Sequence, residues 1–142
     1  STRSIYESLQ GSNEIYKWGV YIKEIPAQLF DNNITFLGDS AHPMVPFLGQ
    51  GGCMALEDAY IFGKLIVLKS DLEISQKLYQ KLRFSRVKRI FNDSLLQGKL
   101  NHISNPFIIF CRNFLMRYLP VAILKPYTIW DYDPDVEIKK IS

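Results

Sequence analysis

Gly38-Asp39-Ser40-Ala41-His42-Pro43-Met44-Val45-Pro46-Phe47-Leu48-Gly49-Gln50-Gly51-Gly52-Cys53-Met54-Ala55-Leu56-Glu57-Asp58-Ala59 is the stretch on which the reading of this chain turns. Just upstream, Asn33-Ile34-Thr35-Phe36-Leu37 is a short, apolar, β-rich run of the kind that forms a buried strand, and Gly38-Asp39 ends it. In an open α/β sheet, ligands lie beyond the carboxyl ends of the strands, so an Asp placed there can accept hydrogen bonds from a polyol. Pro43 and Pro46 stiffen the loop that follows, while Gly49, Gly51 and Gly52 let its backbone approach a flat ligand. A helix is predicted from Gly52 to Ser70. Its first N–H groups, at Gly51, Gly52 and Cys53, are unpaired and carry the positive end of the helix dipole.

Working outward, Ile15 to Glu24 reads as a strand, Asp31-Asn32-Asn33 as a turn and Ile34 to Leu37 as a second strand. Within the first helix, Leu56, Ala59, Tyr60, Gly63 and Val67 recur at spacings of three and four and are predicted to form its buried face. Asp71 is positioned to cap a second helix that opens its apolar side with Leu72 and Ile74 and runs to about Leu100. Leu78, Leu82 and Phe91 are expected inward on it, with Lys77, Lys81 and Lys88 solvated. A third helix begins after Pro106 and ends near Tyr118, because Pro120 stops it. There are no internal repeats or low-complexity segments.

A chain of 142 residues that is 47% hydrophobic and 13% aromatic can supply a sizeable core. Its net charge of +3, with no basic block longer than Lys139-Lys140, gives no reason to expect nucleic acid. The two cysteines, Cys53 and Cys111, have no metal-ligand spacing, so no metal is expected and a reduced, cytoplasmic setting is the plain reading. The most apolar stretch, Pro106 to Leu124, is broken by Arg112, Arg117 and Pro120 and fails the criterion for a membrane span. Packing on the body is preferred over an in-plane membrane helix.

The central stretch resembles the second flavin motif of the FAD-dependent aromatic monooxygenases, the family of salicylate and para-hydroxybenzoate hydroxylases. Gly38, Asp39, Ser40, Ala41, His42, Pro46, Gly49, Gln50, Gly51, Ala55, Glu57, Asp58 and Ala59 stand in the family's register. Trp18-Gly19-Val20-Tyr21-Ile22-Lys23-Glu24-Ile25-Pro26 is similar to the strand before the motif, with Lys23 where an Arg is usual. Arg83-Phe84-Ser85-Arg86, followed by Ser94, Gly98 and His102, is similar to the long helix after it, and Trp130-Asp131-Tyr132-Asp133 to the closing segment. Absent are a strand followed by G-x-G-x-x-G with an acid about twenty positions on, and the family's intermediate Asp-Gly motif.

The resemblance therefore implies an α/β fold class: the C-terminal part of a Rossmann-like FAD-binding monooxygenase fold, incomplete alone, beginning at Ser1 rather than Met. Residues 1–30 would end the substrate-domain sheet. Residues 31–70 would supply the last strand, the flavin-contacting loop and a helix of the FAD domain, and 71–142 a C-terminal helical region. The Ile34–Leu37 strand reads as central to a sheet, so a missing N-terminal FAD- and NAD(P)H-binding segment or chain is the expected partner.

By the same resemblance, NAD(P)H reduces FAD and an oxygen atom from O2 passes to a small aromatic substrate. Cofactor contacts are expected at Gly38, Asp39, Pro46, Gly49, Gly51, Gly52, Cys53 and Met54. Asp39 would hold a ribityl hydroxyl, Pro46 would line the gap between flavin and substrate, and the amides of residues 51–53 would face the N1 and C2 carbonyl edge of the ring. No catalytic triad or metal is needed, since the cofactor carries the chemistry.

Duller roles stand beside these. Asp39 alone is a common turn residue. His42 invites acid/base work, although hydrogen bonding within its loop is preferred. Glu57 and Asp58 look like a carboxylate pair, yet adjacent helix positions point about 100° apart, so dipole and salt-bridge roles with Arg83 and Arg86 are preferred. Cys53 at a helix start could be a reactive thiol, and Tyr16, Trp18 and Tyr21 a pocket lining; inert packing is the simpler reading of both. Against the enzyme reading stands a non-catalytic helical remnant serving a partner chain. A remnant freed from flavin would have little physical reason to keep its glycines and prolines at these spacings.

Overall fold

A computed structural model describes Tyr16, residues 19–118, Ile129 and residues 131–141. Most of these residues are helical: α1 spans Gly51–Lys69, α2 Leu72–Asn101, α3 Pro106–Tyr118 and α4 Pro134–Lys139. The sheet among them is one antiparallel hairpin, β1 Phe30–Asp31 with β2 Ile34–Thr35, in which Phe30 pairs with Thr35 and Asp31 with Ile34. Asn32, at φ 49°, makes the left-handed step of the turn, a conformation its short polar side chain tolerates.

The strand expectations are corrected here. Gly19–Glu24 take up no strand, and Ile15, Lys17 and Trp18 lie outside the described residues. Strand pairing stops at Thr35 rather than Leu37, and Ile34 is 61% exposed. The tight Asn32-Asn33 turn pairs only two residues on each side. One further backbone bond, Phe36 N–H to the Leu29 carbonyl at 2.8 Å, continues the hairpin, and α2 supplies the other partners. Gln80 accepts from Leu29 N–H (2.7 Å) and donates to the Ala27 carbonyl (3.1 Å), Gln76 donates to Thr35 Oγ1 (3.0 Å), and Tyr79 Oη donates to the Phe36 carbonyl (3.2 Å). Backbone groups that would otherwise need neighbouring strands are thus satisfied by side chains of one helix.

Helix boundaries follow the local chemistry. Asp71 caps α2 as expected, its Oδ1 accepting from Ile74 N–H at 2.8 Å. Ser70, in the left-handed conformation at φ 53°, ends α1, so only Ser70 and Asp71 separate two long helices. So short a link folds α2 back on α1. Asn105 accepts from Phe107 N–H at 3.0 Å at the start of α3, and Asp133 from Asp135 N–H at 2.9 Å before Pro134 opens α4. No described helix is long and apolar enough to cross a membrane. α3 buries none of its residues; Phe110, Phe114 and Tyr118 form an exposed aromatic row, and Pro120 lies outside the described residues.

The core corrects the predicted face of α1. Met54, Asp58, Ile61 and Leu65 point inward, whereas Leu56 and Val67 are 74% and 79% exposed and Ala59, Tyr60 and Gly63 are exposed with them. Both sets recur at helical spacing, so periodicity cannot choose between them in a helix apolar on most sides. Packing chooses: Ile61 and Leu65 join Leu29, Ala41, Tyr79 and Ile138, while Met54 meets Val87 and Ile90. On α2, Phe91 is buried, Leu78 and Leu82 are half-buried, and Lys77, Lys81 and Lys88 are solvated, as expected. Leu65→Ala should cost about 2–5 kcal/mol and Val67→Ala under about 0.5 kcal/mol in urea unfolding of this chain, reversing the order that periodicity alone implies.

Candidate functional site

Asp58 lies at the buried centre of the motif. Its carboxylate accepts from Gly38 N–H (2.9 Å), from His42 Nε2 (2.5 Å) and from Arg83 Nε (2.7 Å), with no exposed surface on Asp58, His42 or Arg83. Arg83 also donates to Glu57 Oε2 (2.7 Å), Tyr132 Oη (3.2 Å) and the Met54 carbonyl (3.3 Å). Arg86 closes a fork on Glu57 through Nε (2.8 Å) and Nη2 (2.7 Å), and its guanidinium lies 3.7 Å from the centre of the Tyr132 ring. Two carboxylates meet two guanidiniums, so the cluster approaches neutrality without solvent.

Burial alone would raise the Asp58 carboxyl, but the His42 hydrogen bond, the Arg83 charge and the Gly38 N–H together hold it below its usual 3.8. Burial would likewise depress Arg83, but Asp58, Tyr132 and Glu57 together outweigh it and keep the guanidinium charged. Burial and the Asp58 charge push the Tyr79 phenol well up, so it stays a neutral donor. A carboxyl depressed on folding stabilises the protein fully above its unfolded value and loses that contribution as pH falls through the lower folded one. Urea midpoints should therefore drop below about pH 4 through Asp58, and that acid limb should shrink in Asp58→Asn. At neutral pH the same variant leaves buried Arg83 with only Glu57, which it shares with Arg86, and should lose about 3 kcal/mol.

The cluster positions the loop. Gly38 takes φ +56° and lies so close to α1 that an added Cβ would stand 3.0 Å from the Ala55 Cβ; a side chain is excluded by both space and conformation. Ser40 Oγ donates to the Leu37 carbonyl (2.7 Å) and accepts from Leu37 N–H (3.1 Å), tightening the 3-10 turn Gly38–Ser40. A second 3-10 turn, Pro46–Leu48, ends at Gly49, whose φ of 64° makes the left-handed exit. Gln50 then begins α1 without a side-chain cap, and the first amide to close on the helix is Met54 N–H, onto the Gln50 carbonyl at 2.9 Å. The amides of Gly51, Gly52 and Cys53 precede that bond, at the uncapped positive end.

The expected contact residues divide accordingly. Asp39, Pro46, Gly49, Gly52 and Cys53 are exposed and Gly51 is partly so, whereas Gly38 and Met54 are buried. A Cβ built on Gly52 meets nothing within 4 Å, and one on Gly51 meets only Asp39 Oδ1, at 3.9 Å. Bare backbone donors and an exposed carboxylate therefore share one open face, which fits a flat, partly anionic ring with a hydroxylated tail. Met54 belongs instead to the core, with its sulfur 3.7 Å from Arg83 Nη2. Cys53 and Cys111 are both free, and no group of three metal-ligating side chains occurs among the described residues.

Arg83 and Arg86 meet Glu57 and Asp58 as anticipated, but of His42 only the backbone N–H bonds within the loop, to the Gly38 carbonyl at 2.8 Å, and the side chain does not. It reaches Asp58, and its Nδ1 is buried with no hydrogen-bond partner among the described residues. Sequence reasoning missed the far attachment of the loop: Ser94 Oγ donates to the Val45 carbonyl at 2.7 Å, and Phe47 packs over Gly98 and edge-on to His102. The signal was available, since Ser94, Gly98 and the C-cap residue His102 recur every four residues along one side of α2 and its end.

The homologues of this chain are aromatic flavin monooxygenases. It is 32% identical over 108 residues, 76% of its length, to the aurachin C monooxygenase/isomerase of Stigmatella aurantiaca, of which it covers 28%. To 2-heptyl-3-hydroxy-4(1H)-quinolone synthase of Pseudomonas aeruginosa it is 38% identical over 89 residues, 63% of this chain and 23% of that protein. With 3-hydroxybenzoate 6-hydroxylase of Polaromonas naphthalenivorans it shares 34% over 87 residues, 61% of this chain and 22% of that enzyme. The chain spans about a quarter of the length of the curated relatives it matches. No family model matches it.

Proposed function

We propose that this chain is the C-terminal, flavin-facing part of an FAD-dependent monooxygenase that hydroxylates a small aromatic substrate with NAD(P)H and O2. The observation that carries this reading is the open face where the Gly51 and Gly52 backbone and the Asp39 carboxylate lie together. Relatives named 3-hydroxybenzoate 6-hydroxylase and 3-amino-4-hydroxybenzoate 2-monooxygenase support the substrate class. FAD, when bound, supplies the hydride acceptance and oxygen activation that no amino-acid side chain provides.

The chain's own residues do the positioning. Amides of Gly51, Gly52 and Cys53 donate toward the electron-rich edge of the ring, and the dipole of α1 favours negative charge there. Asp39 accepts from a ribityl hydroxyl, and Pro46 lines the side facing the substrate. Gly38 and Gly49 give the loop its two left-handed steps, and Met54 seats the first turn of the helix in the core.

In this reading residues 1–30 adjoin the substrate-domain sheet, 31–70 complete a Rossmann-like FAD domain and 71–142 brace it. A preceding segment supplies the dinucleotide fingerprint. Free, exposed cysteines agree with a reduced, cytoplasmic setting.

Joined to that segment and purified, the wild type should show the visible absorption of bound flavin and substrate-stimulated NAD(P)H oxidation. Asp39→Ala should lose flavin on dilution, by about tenfold in Kd for one charged hydrogen bond, with far-UV circular dichroism unchanged. A colourless folded wild type would defeat the proposal.

A further inference from the structure

Gly98 lies in the last turn of the 30-residue α2, four residues before its C-cap His102, at a position where alanine is the better helix former. A Cβ there would stand 2.5 Å from two ring carbons of Phe47, closer than any real contact, so the missing side chain makes room for that ring. His102 completes the socket: its Nδ1 donates to the Gly98 carbonyl at 2.7 Å, and its ring meets Phe47 edge-on at 5.4 Å. One turn earlier, buried Ser94 donates to the Val45 carbonyl at 2.7 Å. Two loop residues on either side of Pro46, Val45 and Phe47, are therefore clamped on α2.

The clamp is mechanically continuous with the candidate site. Phe47 is the middle residue of the Pro46–Leu48 turn, which closes through Gly49 N–H on the Pro46 carbonyl at 3.1 Å and passes through Gln50 directly into α1. Nearer its middle, α2 grips α1 through Arg83 on Glu57, Asp58 and the Met54 carbonyl. From Arg83 to Gly98 the helix is a strut of about 22 Å that holds both walls of the loop.

We propose that Ser94 and Gly98 are positioning residues that latch the loop through Val45 and Phe47 and so keep the amides of Gly51–Cys53 in register to receive FAD. The assignment rests on the functional reading above and adds to it the residues, remote in sequence, that set the site's shape.

Gly98→Ala tests it, because propensity alone would make that change favourable. In the flavin-free chain, hydrogen exchange at the Gly49 amide, which closes the turn on the Pro46 carbonyl, should quicken about tenfold, and FAD affinity of the joined protein, read by flavin fluorescence, should fall by about as much. Gly63→Ala, where an added methyl meets nothing within 4 Å, should change neither. In a Phe47→Ala background, Gly98→Ala should cost no further affinity, since the ring it strikes is gone. Unchanged exchange in Gly98→Ala, faster exchange with affinity intact, or a loss that persists without Phe47 would each overturn the latch. A wild type that binds no FAD would instead sink the functional reading and the role of the latch with it, while exchange would still report whether the clamp exists.

Discussion

The contact between Asp58 and Arg83, sealed from water, is the constraint on which the rest of this structure depends. Ion pairs of this kind add little net stability, because desolvating both partners offsets most of their attraction. What they impose is position. Asp58 leaves the helix on one side only, and that side must meet a cation and donors or the charge stays buried at a cost of several kcal/mol. By meeting Arg83, Gly38 and His42 at once, it fixes the rotation of α1, the approach of α2 and the turn after the hairpin.

From that constraint the character of the site follows. Charge is balanced inside the cluster, where Glu57 and Asp58 answer Arg83 and Arg86, while the positive end of α1 is left without a side-chain cap and faces outward. A neutral interior leaves the positive end of α1 open on the face it shares with the exposed Asp39 carboxylate. The chain spans about a quarter of its relatives' length, and α1 exposes the apolar residues Leu56, Ile66 and Val67.

How much could be read in advance varied with the range of the interaction. The Asp71 cap, the start of α3 at Pro106 and the pairing of the two acids with the two arginines were legible, because each follows from local hydrogen bonding or from charge at helical spacing. The buried face of α1 was not, since two sets of residues satisfied the same period and only packing against Leu29, Tyr79 and Ile138 separates them. Strand length misled for a related reason. Ile34–Leu37 has the composition of a strand, but the glutamines and Tyr79 of α2 satisfy this region's backbone in place of further strands.

By itself the order of residues determined the chemistry at residues 38–59: which positions can be left-handed, which lack side chains, where a helix begins and where a carboxylate stands exposed. These are properties of single residues and near neighbours, so the linear chain carries them. Only the tertiary structure decided that His42 reaches Asp58, that Tyr132 stacks on Arg86 and that Gly98 receives Phe47 across a separation of about fifty positions. Contacts of that kind depend on two surfaces fitting in space, and no periodicity along one segment encodes the shape of the other.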